Sequence, residues 1–204
     1  MSHLADEVIG IYRRRADTFD RLRNRSLFEK VWLDRFLAEL PSNRPHVLDL
    51  GCGMGEPIAC YLIEHGCRIT GVDTSSGLLD MARQRFPAQD WREGDMRTLN
   101  LAQTFDGIIA FGSLFLLRHD DQRSMFPIFR RHAHAGTALL MATGPEAGET
   151  AGAMEDERIY AASLSPAEYA RLLEDNGFLL RRYVAEDPEC DQHSIWLAKS
   201  RAGS

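Results

Sequence analysis

Between residues 46 and 200 the chain alternates two hydrophobic patterns. Short apolar runs at His46–Leu50, Arg68–Asp73, Gln89–Arg92, Phe105–Phe111 and Thr137–Thr143 read as strands. Phe105–Phe111 and Thr137–Thr143 show no polar alternation, which fits strands buried on both faces. Segments with helical spacing lie between the runs. Ile58–His65 follows Pro57, a residue tolerated in a first helical turn, and stops at Gly66. Thr74, Ser75 and Ser76 are N-cap candidates for a helix through Phe86, ended by Pro87. Asp120 or Asp121 is expected to cap a helix towards His134, kinked at Pro127. Ser165-Pro166-Ala167-Glu168 is a capping box with proline at the first helical position, and Gly177 stops that helix. Phe178–Ala185 and Ile195–Lys199 close the pattern as strands joined by a turn near Asp187-Pro188.

Upstream, residues 4–40 read as helical in at least two pieces. Phe28, Trp32, Phe36 and Leu40 recur at every fourth position, with Val31, Leu33 and Leu37 beside them, giving one apolar stripe ended by Pro41 and Pro45. Residues 144–157, rich in Gly, Ala and Glu, read as a loop or lid, and residues 200–204 as a frayed tail. Alternating strands and helices predict an α/β fold: an open, doubly wound, mostly parallel sheet with helices on both faces. Such sheets bind ligands at the carboxyl ends of their strands, at the switch point beside the first strand.

Composition narrows the options. A chain of 204 residues with 44% hydrophobic and 26% charged positions suits one globular domain. Its net charge of −6 argues against nucleic acid as a partner, which needs a basic surface. Arg13, Arg14, Arg15, Arg21, Arg23 and Arg25 form a local basic run. Acids between Asp6 and Glu39 nearly balance it, so it reads as a solvated helix face. Cys52, Cys60, Cys67 and Cys190 have neither disulfide-framework nor zinc spacing, which fits free thiols in the cytoplasm. The first residues lack a signal-peptide layout, and the longest apolar stretch, Gly107–Leu117, is too short to span a membrane.

The chemistry concentrates after the first strand, in Asp49-Leu50-Gly51-Cys52-Gly53-Met54-Gly55-Glu56. Alternate glycines at a strand–helix junction let a ligand lie against bare backbone, since glycine accepts positive φ and has no Cβ. Acids recur at later strand ends. Asp73 lies 22 residues after Gly51, and Asp95 a further 22. An acid where Asp73 stands can accept ribose hydroxyls; its alternative is a helix cap. A dinucleotide fingerprint would need a third glycine at position 56, where this chain has Glu56, an acid that repels a pyrophosphate and favours a cationic ligand.

Together these segments resemble class I S-adenosylmethionine-dependent methyltransferases. Asp49–Gly55 is similar to that family's first motif, Asp73 to its ribose-binding acid, and Asp95-Met96 to its adenine-side pair. Phe105-Asp106-Gly107-Ile108-Ile109-Ala110 resembles its fourth strand. The resemblance covers about residues 45–200. It implies a Rossmann-like seven-stranded sheet with its last strand antiparallel. It also implies S-adenosylmethionine as cofactor, with S-adenosylhomocysteine as product. In that frame Gly51, Cys52 and Gly53 lie along the methionine part, Asp49 holds its amino group, and Asp73 with Thr74 faces the ribose. Ala110 and Phe111 face the sulfonium. The Tyr12…Phe19-Asp20 segment is similar to N-terminal helices that close over the cofactor, with Tyr12 in the pocket roof. Residues 1–44 are then a helical cap, 45–200 the methyltransferase domain and 201–204 a tail.

The implied reaction is in-line methyl transfer to a small-molecule acceptor. Relatives often carry His where this chain has Leu116, and His119, Tyr160 and Glu146 have no geometry fixed by sequence, so no catalytic residue is assigned. Capping explains Asp120-Asp121 more simply than a metal does. Amino-methylating enzymes acting on adenine bases or glutamine amides resemble one another in an Asn/Asp-Pro-Pro-aromatic motif; here Ala110-Phe111-Gly112-Ser113 stands instead. Two alternatives stay open at this point: a nicotinamide-dependent oxidoreductase, and an inactive S-adenosylmethionine-binding protein.

Overall fold

A computed structural model describes residues 2–41 and 43–201. Residues 202–204 of the expected tail lie outside the described residues. Seven strands form the main sheet: β1 His46–Leu50, β2 Arg68–Asp73, β3 Asp90–Glu93, β4 Phe105–Ala110, β5 Ala133–Thr143, β8 Phe178–Asp187 and β9 His193–Ser200. Their order is β3-β2-β1-β4-β5-β9-β8. β1 to β5 run parallel, and β9 is antiparallel to both β5 and β8. The chain moves outward from β1 to β3 and then crosses back to β4 on the other side of β1. That reversal opens a crevice at the carboxyl ends of β1 and β4.

Strand side chains alternate between two cores. Val47 and Ile109 join Trp32, Leu33 and Phe36 of α3 (Lys30–Glu39) on one face. Leu48, Leu50 and Ile108 join Phe126 and Phe129 of α6 (His119–Arg131) on the other. Each fully buried Phe or Leu contributes about 1.5–3 kcal/mol. Gly107 lets α3 approach closely, because a Cβ there would lie 2.4 Å from the Phe36 ring. The remaining helices are α1 Ser2–Arg14, α2 Ala16–Leu22, α4 Ile58–Glu64, α5 Ser76–Arg85 and α7 Pro166–Asp175.

Two expectations need correction. Neither Asp120 nor Asp121 caps α6, whose N-cap position is Arg118 with no side-chain cap bond. Asp120 pairs with Arg123 at 2.8 Å and Asp121 with Arg97 at 3.2 Å, still in the first turn where acids favour the helix dipole. The expected loop over 144–157 is largely ordered. β6 (Gly148–Met154) and β7 (Glu157–Ser163) form an antiparallel hairpin in register from Gly148↔Ser163 to Met154↔Glu157. Its inner face lies on α1: Tyr160 and Ala162 pack on Val8, and Met154 and Ile159 on Ile11. Half of the arginine run finds its partners here, while Arg13, Arg23 and Arg25 pair elsewhere. Arg14 meets Glu157 at 3.0 Å, Arg15 meets Asp156 at 2.7 Å, and Arg21 pairs with Glu155. These arginines therefore clamp the N-terminal helices to the hairpin turn.

Candidate functional site

The crevice is built outward from the end of β1. Gly51 takes φ +76°, and a Cβ there would stand 2.3 Å from the Ser113 Cβ. Ser113 Oγ in turn donates to the Leu50 carbonyl at 2.6 Å, tying the segment after β4 to the end of β1. Asp73, at the end of β2, brackets the glycine loop: its carboxylate accepts the Gly53 N–H at 2.9 Å and the Ser75 N–H at 2.8 Å. Burial pushes the Asp73 pKa up, and the N–H donors of Ser75, Gly53 and Thr74 pull against that rise. Ser75, not Thr74, caps α5, accepting the Leu78 N–H.

Asp49 is 4% exposed and has no hydrogen-bond partner among the described residues. Burial, and next the charge of Asp73, push its pKa up to about 7. A carboxylate held in this way gains from any cation brought beside it. Glu56 is different: Arg25 lies 2.7 Å from it and Arg85 3.5 Å, so its charge is already answered. Burial drives the Cys52 thiol well above its ordinary pKa, which keeps it neutral.

Two cavities meet over the loop and share Tyr12, Gly51, Gly53 and Leu116. The first, roughly 850 Å³ counted to its mouth, runs past Asp73, Thr74, Asp95 and Met96. The second runs past Asp49, Cys52 and Phe111 towards the hairpin and β9. Tyr12 packs edge-on against Phe19 with centroids 5.1 Å apart, and burial raises its phenol to about 12. Partial burial would raise the Asp95 pKa, yet its hydrogen bonds from Arg97 hold it below the ordinary value. Ala110 stands apart from the other expected residues. It is wholly buried in the sheet core with Leu48 and Ile108 and lines neither cavity, because the strand alternation that turns Phe111 towards the crevice turns Ala110 away.

His119 and Tyr160, to which the sequence assigned no role, line neither cavity, and Glu146 lines a third one beyond them. His119 Nε2 lies 3.2 Å from the Gly148 carbonyl and 3.1 Å from that of Ser163, where it secures the hairpin. Tyr160 is fully buried and donates to Glu149 at 2.8 Å. Sequence reasoning passed over Arg23, Glu29 and His193, all in the wall of the second cavity. No spacing or motif marks them; packing alone brings them there.

A family model described as a methyltransferase domain matches residues 47–136, the stretch that carries the glycine loop, Asp73 and Asp95. Over these residues the chain is a methyltransferase domain, and its sheet has the fold of the class I S-adenosylmethionine-dependent methyltransferases. This methyltransferase shares its fold with structures solved with S-adenosylmethionine and with S-adenosylhomocysteine bound. It is similar to trans-aconitate 2-methyltransferase of Azoarcus sp. (strain BH72), 29% identical over 82% of this chain and 81% of that one. A second trans-aconitate 2-methyltransferase, of Paracidovorax citrulli, is 38% identical, over 43% of this chain and 30% of its own length. The crystal structure of magnesium protoporphyrin IX methyltransferase from Synechocystis PCC 6803 shares the fold, with a TM-score of 0.74 at 17% identity, covering 97% of each chain. Among the described residues, no helix of the methyltransferase is long and apolar enough to cross a membrane.

Proposed function

We propose that this methyltransferase passes its methyl group to a small-molecule acceptor lodged between the glycine loop, the β6–β7 hairpin and the start of β9. The observation that carries this reading is Asp49, a nearly buried carboxylate with no partner among the described residues, beside a glycine loop in a crevice that continues towards the hairpin. A cation beside Asp49 relieves its desolvation, and the donor's methionine end brings an ammonium and a sulfonium. In this reading Gly51, Cys52 and Gly53 bind the methionine part through backbone. Asp73 and Thr74 take the ribose hydroxyls, and Asp95 with Met96 borders the adenine. Phe111 walls the sulfonium side, and Tyr12 roofs the crevice. Residues 1–44 act as a cap, latched to the hairpin by the arginine clamp.

The bound donor supplies a methyl group on a positively charged sulfur, which leaves as a neutral thioether. The chain contributes alignment and dryness. The glycine loop and Asp73 fix the donor's long axis, and Tyr12, Phe19 and Leu116 exclude water from the junction of the two cavities. The free thiols Cys52, Cys67 and Cys190, all buried, support a reducing, cytoplasmic setting.

Thermal-shift titration with S-adenosylhomocysteine and NADH tests the donor site, with stabilisation expected from the first alone. Transfer of labelled methyl from S-adenosylmethionine into fractionated small-molecule extract tests turnover. Label recovered only in the macromolecular fraction would overturn the small-molecule assignment.

A further inference from the structure

The far wall of the second cavity carries groups that the donor site leaves unused. His193, the first residue of β9, lines this cavity and also a third that passes Glu146 and Glu149 on the hairpin side. The rings of Phe28, Phe111 and Phe115 surround the imidazole, each with its centroid 5.9 Å away. His193 Nδ1 lies 3.0 Å from the Cys190 carbonyl. That bond holds the proton on Nδ1 and leaves Nε2 with a lone pair and no partner among the described residues.

The charges on this wall are one-sided. Glu29 is fully buried; one of its oxygens meets Arg23 at 2.5 Å, and the other, Oε2, has no donor among the described residues. Glu29 lies just beneath the cavity surface, so it adds negative charge to this wall without itself reaching a ligand. Asp191 borders the second and third cavities, and Glu146 the third; neither has a Lys or Arg partner among the described residues. Glu149 receives the Tyr160 hydroxyl. Arg23 is the one arginine on the wall of the second cavity among the described residues, and Glu29 already answers it.

Building on the methyltransferase reading, we propose that the acceptor is an amine, bound as its ammonium among these carboxylates and phenyl rings, and that His193 Nε2 removes its proton. An ammonium gains from carboxylates and from aromatic faces, whereas a carboxylate acceptor would meet like charge. As the proton passes to Nε2, the electron pair of the N–H bond stays on nitrogen. That pair forms the new nitrogen–carbon bond to the methyl group while the carbon–sulfur bond breaks and leaves its pair on sulfur. The products are a methylated ammonium, a neutral thioether and a proton on His193 that returns to water.

The test uses the full chain saturated with S-adenosylhomocysteine and titrated calorimetrically with phenethylamine, 3-phenylpropionate and trans-aconitate. The amine should bind at least about tenfold more tightly than either acid. The double variant Asp191→Asn with Glu149→Gln should narrow that gap, with S-adenosylhomocysteine binding reporting an intact fold. In ¹⁵N-resolved spectra, with His193→Gln for assignment, bound amine should move the His193 Nε2 resonance, which a hydrogen bond from the ammonium perturbs. Equal or tighter binding of an acid, or no amine binding at millimolar concentration, overturns the amine assignment. An unmoved His193 with amine bound removes it as the base. Failure to bind S-adenosylhomocysteine would instead sink the donor-site reading, so the two failures are distinguishable.

Discussion

Replacing Asp49 by asparagine should stabilise the ligand-free protein and weaken its hold on the donor. Burial, then the charge of Asp73, raise the Asp49 pKa from 3.8 to about 7. A carboxyl whose folded pKa is raised holds a proton in the native state that the unfolded chain has lost. Stability therefore falls as pH rises from about 4 to about 7, and stays at its low level above that. A rise of about three units corresponds to a destabilisation on the order of 4 kcal/mol at pH 8. Asparagine keeps the shape and removes the charge, but its amide still lacks partners, which costs about 1–3 kcal/mol. A net gain of about 2 kcal/mol remains, worth a rise in Tm of about 4–8 °C for a chain of this size. At pH 5 most of the advantage disappears, because Asp49 is then protonated in the fold.

Binding should move the other way. Hydrogen bonds to a charged group contribute about 1.5–3 kcal/mol, so S-adenosylhomocysteine should bind the variant about 10- to 100-fold more weakly at pH 8. Wild-type affinity should also decline as pH drops through 7, as a proton competes with the ligand's ammonium. Differential scanning fluorimetry and calorimetric titration, each at pH 5 and pH 8, read all four effects. A variant less stable than wild type at pH 8, a Tm difference that ignores pH, or an unchanged affinity would refute the reasoning.

The other expectations concern the loop and the cap. Asp73→Ala removes the acceptor of the Gly53 and Ser75 N–H groups; calorimetry should show S-adenosylhomocysteine affinity weakened by at least ~1 kcal/mol, and wild-type affinity would deny Asp73 its role. Gly51→Ala forces a Cβ to 2.3 Å from the Ser113 Cβ at a positive φ; a stability loss of about 1–3 kcal/mol should appear as a lower urea midpoint, and an unmoved midpoint contradicts the close approach. The triple change Glu155→Gln, Asp156→Asn and Glu157→Gln releases the arginine clamp. It should leave the global midpoint nearly unchanged but speed amide exchange across residues 148–163; unchanged exchange there would mean that the apolar contacts alone hold the hairpin.

The glycine-loop side of the crevice, the proposed donor side, was legible because its parts are local. Asp49, the glycines, Asp73 and Asp95 each sit at the end of a strand that announces itself by an apolar run, and β1 and β4 announce themselves because both of their faces are buried. The hairpin was not legible. β6 reads Gly-Glu-Thr-Ala-Gly-Ala-Met and is exposed along nearly its whole length, so no alternation marks it as a strand. Its order comes from β7, through Tyr160 and Ile159 resting on α1, and from arginines more than a hundred residues away in sequence. The acceptor wall is subject to the same condition. Glu29 and His193 stand 164 positions apart and share no motif. What makes each notable among the described residues, an oxygen with no donor and a ring nitrogen with no partner, exists only after packing. In the proposed reading donor recognition is thus written into strand ends that fold with the main sheet, while acceptor recognition depends on a thin hairpin tied down by surface ion pairs. The hairpin should therefore open at lower free energy than the sheet beneath it, giving the acceptor a route in without disturbing the donor site.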